Sequence, residues 1–215
     1  MYQAWRNLTF LHWRYAPDVM QRYLPAGLRV DTFDGSAWLR LAPFMLELRW
    51  SKFPETNVLT YVRGPEGKSG VWFFSLDAGD LLAVAGARVA YGLPYMWSRM
   101  RVKADDRRAA YESSRRWPDR RAATRIEVER GEKIEAGALE HFLTDRFRLY
   151  SMRRGRMIFG EVEHGPWPLE SARVVALEQT LTDTLGLPRP EGPPLVHFSP
   201  GVEVQAGPPR AIVRT

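Results

Sequence analysis

The chain has 215 residues, a formal net charge of +6 and no cysteine. That length can bury a core without staples, and the missing cysteines exclude a disulfide scaffold, a thiolate metal site and a cysteine nucleophile. The basic residues are overwhelmingly arginine, with lysine only at Lys52, Lys68, Lys103 and Lys133, a bias that reflects genome composition rather than a ligand.

The N-terminal stretch MYQAWRNLTFLHWRYAPD lacks the basic segment and apolar run of an export signal, and no run approaches the ~20 apolar residues of a membrane span. A soluble, cytoplasmic protein without membrane contact is expected. Pro17 to Leu24 reads as a short helix stopped by Pro25, because proline cannot donate to the helical ladder. Leu28 to Phe33 then reads as a strand, Asp34-Gly35 as a two-residue hairpin turn, and Ala37 to Trp50 as a long strand in which Pro43 marks a bulge or an edge. Val58 to Arg63 and Val71 to Asp77 form a second hairpin across the glycine-rich turn from Gly64 to Gly70.

Leu81 to Val89 is apolar and alanine-rich enough for a helix, which Gly92-Leu93-Pro94 stops before the chain re-enters the sheet near Met96. Strands follow at Trp97 to Ala104, Arg108 to Arg115 and Ala122 to Arg130. Gly137 to Thr144 reads as a helix, Phe147 to Arg153 and Arg156 to His164 as a hairpin across Arg154-Gly155, and Gln179 to Leu185 as a short helix. One last strand falls near Leu195 to Ser199 or Val202 to Gln205. Without a repeat or a linker, the expectation is a single domain over residues 1–215: α+β, mostly antiparallel β, a closed or nearly closed barrel with short flanking helices.

Between Arg99 and Arg125 the chain carries ten basic residues, Arg115 among them, against Asp105, Asp106, Glu112 and Asp119. Arginine forks match phosphate oxygens, yet no nucleic-acid signature accompanies the run, and solvated outer strand faces explain it better. Nucleic acid is therefore an unfavoured partner.

A barrel encloses a pocket when its inner face carries aromatics with a few polar groups among them. Trp38, Tyr61, Trp72, Phe73, Phe74 and Tyr91 are the aromatic candidates, although aromatics at strand spacing are more often plain core than a ligand box. The polar candidates are Glu55, Asn57, Arg88 and Tyr95. A carboxylate opening a strand beside aromatics loses water, which raises its pKa toward neutrality and suits it to acid-base work. Arg88, after a run of small residues, is expected to reach the same space, either as a carboxylate anchor or as an ion-pair partner of Glu55. His12 stands without partners among the scattered His141, His164 and His197, so no metal and no cofactor are expected. No nucleophile elbow, phosphate loop or dinucleotide fingerprint is present.

The phrases Phe10-Leu11-His12-Trp13, Tyr23 to Asp31, Glu55 to Val62, Gly70 to Asp77, Ala87-Arg88 and Leu93-Pro94-Tyr95, in this order, resemble the bacterial YqjF-like family, a domain of unknown function. Leu59 stands where that family's phrase has arginine. The family is similar in turn to the acetoacetate decarboxylase superfamily, which implies a β-cone or barrel around a small-acid pocket. By that similarity Glu55 falls where the decarboxylases place a strand carboxylate, and Arg88 falls in their arginine-aromatic-glycine-proline phrase. The two lysines that the resemblance leads one to expect after Pro94 are replaced by Tyr95 and Met96. Without an amine there is no imine, so Schiff-base decarboxylation is disfavoured. Two functions remain. The first is binding of an apolar or carboxylate-bearing metabolite through Asn57, Tyr61, Trp72, Phe74 and Arg88. The alternative is lysine-independent enolisation, hydration or dehydration with Glu55 as base and Tyr95 as proton donor. Assembly into a homo-oligomer through an unpaired edge near Pro43 or in the C-terminal tail stays open.

Overall fold

A computed structural model describes residues 1–212. Thirteen strands and four short helices follow one another: β1 (Tyr2–Tyr15), α1 (Pro17–Gln21), β2 (Arg29–Val30), β3 (Ala37–Leu48), β4 (Lys52–Arg63), β5 (Ser69–Ala78), α2 (Leu81–Tyr91), β6 (Tyr95–Ala104), β7 (Arg108–Trp117), β8 (Ala123–Lys133), α3 (Ala138–Thr144), β9 (Arg148–Arg153), β10 (Arg156–His164), β11 (Glu170–Gln179), α4 (Leu181–Thr184), β12 (Leu195–Ala206) and β13 (Arg210–Ala211). The mostly antiparallel α+β architecture anticipated from the sequence is the one observed.

Nine strands form a nearly closed ring in the order β5-β6-β7-β8-β11-β12-β1-β3-β4, with β4 pairing back onto β5. Its thinnest seam joins β11 to β12 through two residue pairs, Glu170 with Phe198 and Ser171 with His197. The β9–β10 hairpin makes a second link, pairing with β5 through β9 and with β12 through β10. The strands β12, β1, β3, β4 and β5 are therefore shared, and β1 and β3 are covered on both faces. On one side Leu11, Trp13, Leu39, Leu41 and Val58 pack with Tyr111, Ile126 and Val128 of β7 and β8. On the other, Leu8, Phe10, Phe44 and Leu46 pack with Val84 of α2, Val162 of β10 and Trp167. Period-2 alternation separates the two sets along each strand.

The alternation is reset once in β1. Its pairing with β3 passes from Arg6/Met45 to Leu11/Leu41, one residue more on β1 than on β3, and Asn7 takes a left-handed φ of 50°. Pro43 lies opposite this bulge on one side and Pro200 on the other, where a missing backbone N–H costs the ladder least. Pro43 thus marks a bulge in the neighbouring strand and not an edge, because β3 lies between β1 and β4. Pro200 likewise does not divide the tail, and the two alternative last strands are one continuous β12.

The Asp34-Gly35 turn forms as expected, with φ of 49° and 69° and a bridge between Phe33 and Ser36. β4 begins earlier than anticipated, at Lys52, so Glu55 stands inside a strand rather than opening one. β11 has no counterpart among the expected elements. Its inward residues Ala172, Val174 and Leu177 begin with a small one and are not evenly spaced, because two register shifts against β8 break the alternation that would announce a strand.

Arg115, counted above among the surface basic residues, is instead buried. It donates Nε and Nη2 to Asp77 at 2.9 and 2.6 Å, and Ser98 donates to the same carboxylate at 2.6 Å. The bidentate pair and the serine tie β5, β6 and β7 together. Removing one member of a buried pair leaves the other charge uncompensated. Arg115→Met is expected to destabilise the fold by about 3–5 kcal/mol, read as a lowered urea midpoint. The double variant Asp77→Leu/Arg115→Met is expected to recover much of that loss.

Candidate functional site

A cavity of about 140 Å³ lies between the shared strands and the layer of β9, β10 and α2. Its wall is mostly apolar, built from Trp5, Phe10, Phe44, Leu46 and Trp167, with Arg40, Glu55, Asn57 and Tyr95 as the chemically distinctive polar groups. Position in β3 and β4 explains this set. Arg40, Ala42 and Phe44 alternate onto one face of β3, and across the ladder Ala42 meets Asn57 while Phe44 meets Glu55. Ala42, being small, leaves room beside Asn57.

Glu55 is 2% exposed. The Tyr95 hydroxyl donates to its Oε2 at 3.1 Å. Burial pushes the Glu55 carboxyl up to about 7, with hydrogen bonding from Asn57 and Tyr95 opposing the rise and the Asp77 charge adding to it. Tyr95 itself is held well above the usual phenol range, first by burial and then by the neighbouring Glu55. Asn57 keeps a buried Oδ1 with no hydrogen-bond partner.

Three arginines line the cavity, and they differ in their partners. Arg146 is held by Asp31 at 2.7 Å and lies over the ring of Phe142 at 4.2 Å. Arg148 is held by Glu161 at 2.7 Å and Glu66 at 3.3 Å. Arg40 has no carboxylate within 4.0 Å among the described residues; its Nη1 donates to the Leu143 carbonyl at 3.4 Å, its guanidinium lies 5.4 Å from the Phe10 ring, and its Nε is unpartnered. Burial lowers its pKa from the usual arginine range. A desolvated guanidinium without a counter-charge is a costly group that an incoming anion relieves.

Of the residues singled out in the sequence, Glu55, Asn57 and Tyr95 come together, with Phe73 and Tyr91 beside them. Five others do not line this cavity. Trp38 packs with Leu59, Tyr61 and Leu143 in a separate apolar cluster. Tyr61 shares the β4 face but lies beneath α3, donating to the Leu143 carbonyl and meeting His12 Nε2, both at 2.8 Å. Trp72 and Phe74 line an outer groove with Tyr23, Pro94 and Met152, because alternation gives the inner face to Val71 and Phe73. Arg88 is exposed: its Nη1 donates to the Tyr95 carbonyl at 2.6 Å and its guanidinium sits 4.8 Å from the Trp117 ring. Helical geometry is the reason, since Ala87 and Tyr91, four residues apart, take the inward face of α2 and turn Arg88 away. Neither the anchor nor the ion-pair role beside Glu55 is thus open to it.

Arg40 escaped the sequence reading. Its signal was there, a lone charge between the apolar residues Leu39 and Leu41 of an otherwise buried strand. His12 is fully buried, and burial holds its ring well below the usual histidine pKa, hence neutral. Among the described residues no group of three metal-binding side chains occurs, and no lysine lines the cavity.

Comparison with known proteins agrees with this architecture. The chain is 34% identical over 212 residues to the uncharacterized protein YqjF of Bacillus subtilis, covering 93% of this chain and 87% of that one. In three dimensions it is similar to the enduracididine biosynthesis enzyme MppR complexed with pyruvate, at 15% identity and a TM-score of 0.71, covering 98% of this chain and 89% of that one. It is also similar to acetoacetate decarboxylase from Legionella pneumophila, at 12% identity and a TM-score of 0.67, covering 99% and 87%. Those likenesses give the fold. A family model of uncharacterized conserved proteins, DUF2071, matches residues 2–203, and the chain belongs to that family.

Proposed function

We propose that the cavity binds a small organic acid whose carboxylate pairs with Arg40 and whose apolar body lies against Phe10, Phe44 and Trp167. The observation that carries this reading is Arg40, partly buried with an unpartnered buried Nε, which has no carboxylate partner among the described residues and faces a mostly apolar space. A carboxylate is the group that a planar guanidinium fork holds best. Arg40 pairs with Leu59 in the ladder, four residues from Glu55, so the two backbones are about 13 Å apart along the strand at ~3.3 Å per residue. Arginine and glutamate side chains take up much of that span. The remaining gap suits an acid of a few carbons with a second polar group reaching Glu55 and Asn57. That the structural neighbour MppR is described as complexed with pyruvate supports this ligand class.

A second reading, acid-base catalysis on such an acid, is favoured by Glu55 itself. A carboxyl raised to about 7 is divided between its acid and base forms near neutral pH. As a carboxylate it removes a proton next to a carbonyl, and Tyr95, already hydrogen-bonded to it, supplies a donor to the developing enolate oxygen. The same pair would serve hydration or dehydration.

Titration calorimetry with pyruvate and longer 2-oxo acids tests the anchor. Arg40→Met is expected to weaken binding about 10- to 100-fold, as loss of a charge-assisted pair does, and unchanged affinity would remove Arg40 from the site. Borohydride reduction in the presence of pyruvate is expected to leave the protein mass unaltered, since no lysine lines the cavity. An adduct would point to covalent chemistry.

Glu55 also links stability to pH. Its folded pKa lies above the unfolded value of 4.5, so the folded state binds the extra proton between the two. Stability is greatest below pH ~4.5 and declines as pH rises to ~7, by on the order of 3 kcal/mol for this group. Glu55→Gln is expected to match the wild type near pH ~4 and to exceed it above pH ~7 in thermal melts. The same variant is expected to abolish any exchange of 2-oxo acid α-protons with deuterated solvent, followed by proton NMR.

A further inference from the structure

α2 has two faces of unusual similarity. The inner one, with Val84, Ala87 and Tyr91, closes the cavity. The outer one is nearly as apolar: Leu82 is 84% exposed and Val89 73%, seven residues apart and so on one side of the helix, with exposed Ala85 and Gly86 between them. An added Cβ at Gly86 would meet nothing within 4 Å.

Two exposed tryptophans extend this face. At the start of α2, Ser51 donates to Asp80, the N-cap residue, at 2.6 Å, which ties the β3–β4 turn, and with it the exposed Trp50, to the end of the helix that carries the exposed Leu81 and Leu82. At its other end Arg88 stacks on the half-exposed Trp117. The apolar strip thus runs the length of the helix, with an indole at each end. Its rim is basic. Arg49, Arg88, Arg116 and Arg120 are exposed and have no carboxylate within 4.0 Å among the described residues, whereas Asp80 is engaged as the cap and Asp119 by Arg121.

We infer that the outer face of α2, with Trp50 and Trp117, docks onto an anionic lipid surface, the helix lying in the plane of the headgroups. At 11 residues, about 16 Å, α2 is far too short to span a bilayer, and no helix among the described residues could do so. Leucine and valine entering the acyl boundary, indoles at the headgroup level and arginines outside them are the order of groups that such an interface selects. Charge decides against a second copy of the chain. Two antiparallel α2 helices would set the Arg49 end of one against Arg88 and Arg116 of the other, with no free carboxylate to separate them. Anionic headgroups complement every one of these charges.

The test is co-sedimentation of the full chain with phosphatidylcholine vesicles, alone or with roughly one third phosphatidylglycerol. Binding is expected only to the anionic vesicles and is expected to weaken with salt. Leu82→Glu/Val89→Glu is expected to reduce the partition coefficient at least about tenfold, and Arg49→Glu/Arg120→Glu to reduce it severalfold. All four side chains are exposed, and unchanged thermal melts of the variants would show that the fold is intact. Absence of wild-type binding to anionic vesicles would overturn the inference, as would full binding by the Leu82/Val89 variant. A wild-type dimer in light scattering that Leu82→Glu/Val89→Glu converts to monomer would assign the face to a second copy instead.

Discussion

Everything in the cavity depends on β1, β3 and β4 being covered on both faces. A strand with one wet face can place a charge outward at no cost, whereas a charge in the middle of these strands, on either face, is drawn out of water. Arg40 and Glu55 are such charges. Neighbouring side chains of opposite parity, Leu39, Leu41 and Val58, fill the core against β7 and β8, so neither charged group can be relieved by a slip of register without exposing that core. The chemistry of the site is thus enforced by the packing behind it.

The same enforcement separates this cavity from a site built on an amine. Polar function is divided between a cation without a counter-charge and a carboxyl whose pKa burial raises to about 7, standing at different registers of one sheet face. Such a division gives the two ends of the cavity different polar character. It is also costly to an empty protein, since each group is more stable in water. Asp77 contributes from the opposite side of β5, where its bidentate bond to Arg115 both locks three strands and adds negative potential near Glu55.

Much of this was legible in the sequence. Hairpin turns, the short helices and their stops, and the family resemblance all led to the barrel, because turn residues and periodicity act locally. Glu55, Asn57 and Tyr95 were legible as a group since strand parity places the first two together and Pro94 fixes where Tyr95 begins β6. Arg88 was misplaced because helical rotation, not proximity along the chain, decides which neighbour of Ala87 faces inward. Trp72, Phe73 and Phe74 are consecutive aromatics alike in character, and only strand alternation gives Phe73 to the cavity while Trp72 and Phe74 face the outer groove. Arg115 has no such local sign, because its burial is decided by Asp77 and Ser98 on strands from elsewhere in the sequence, whereas Arg40 is marked by Leu39 and Leu41 beside it. β11 is hidden by two register shifts, which break its alternation.

The bulge at Asn7 carries a consequence for how the cavity wall is inherited. Before it the wall is contributed by odd positions, Gln3 and Trp5, and after it by even ones, Leu8 and Phe10. One left-handed residue acts as a phase shifter, letting two segments of opposite parity address the same space. Each segment can therefore vary in sequence independently of the other, provided the shift between them is kept. Pro43 and Pro200, by withholding hydrogen-bond donors on either side, remove the pairing that would pull the chain back into step.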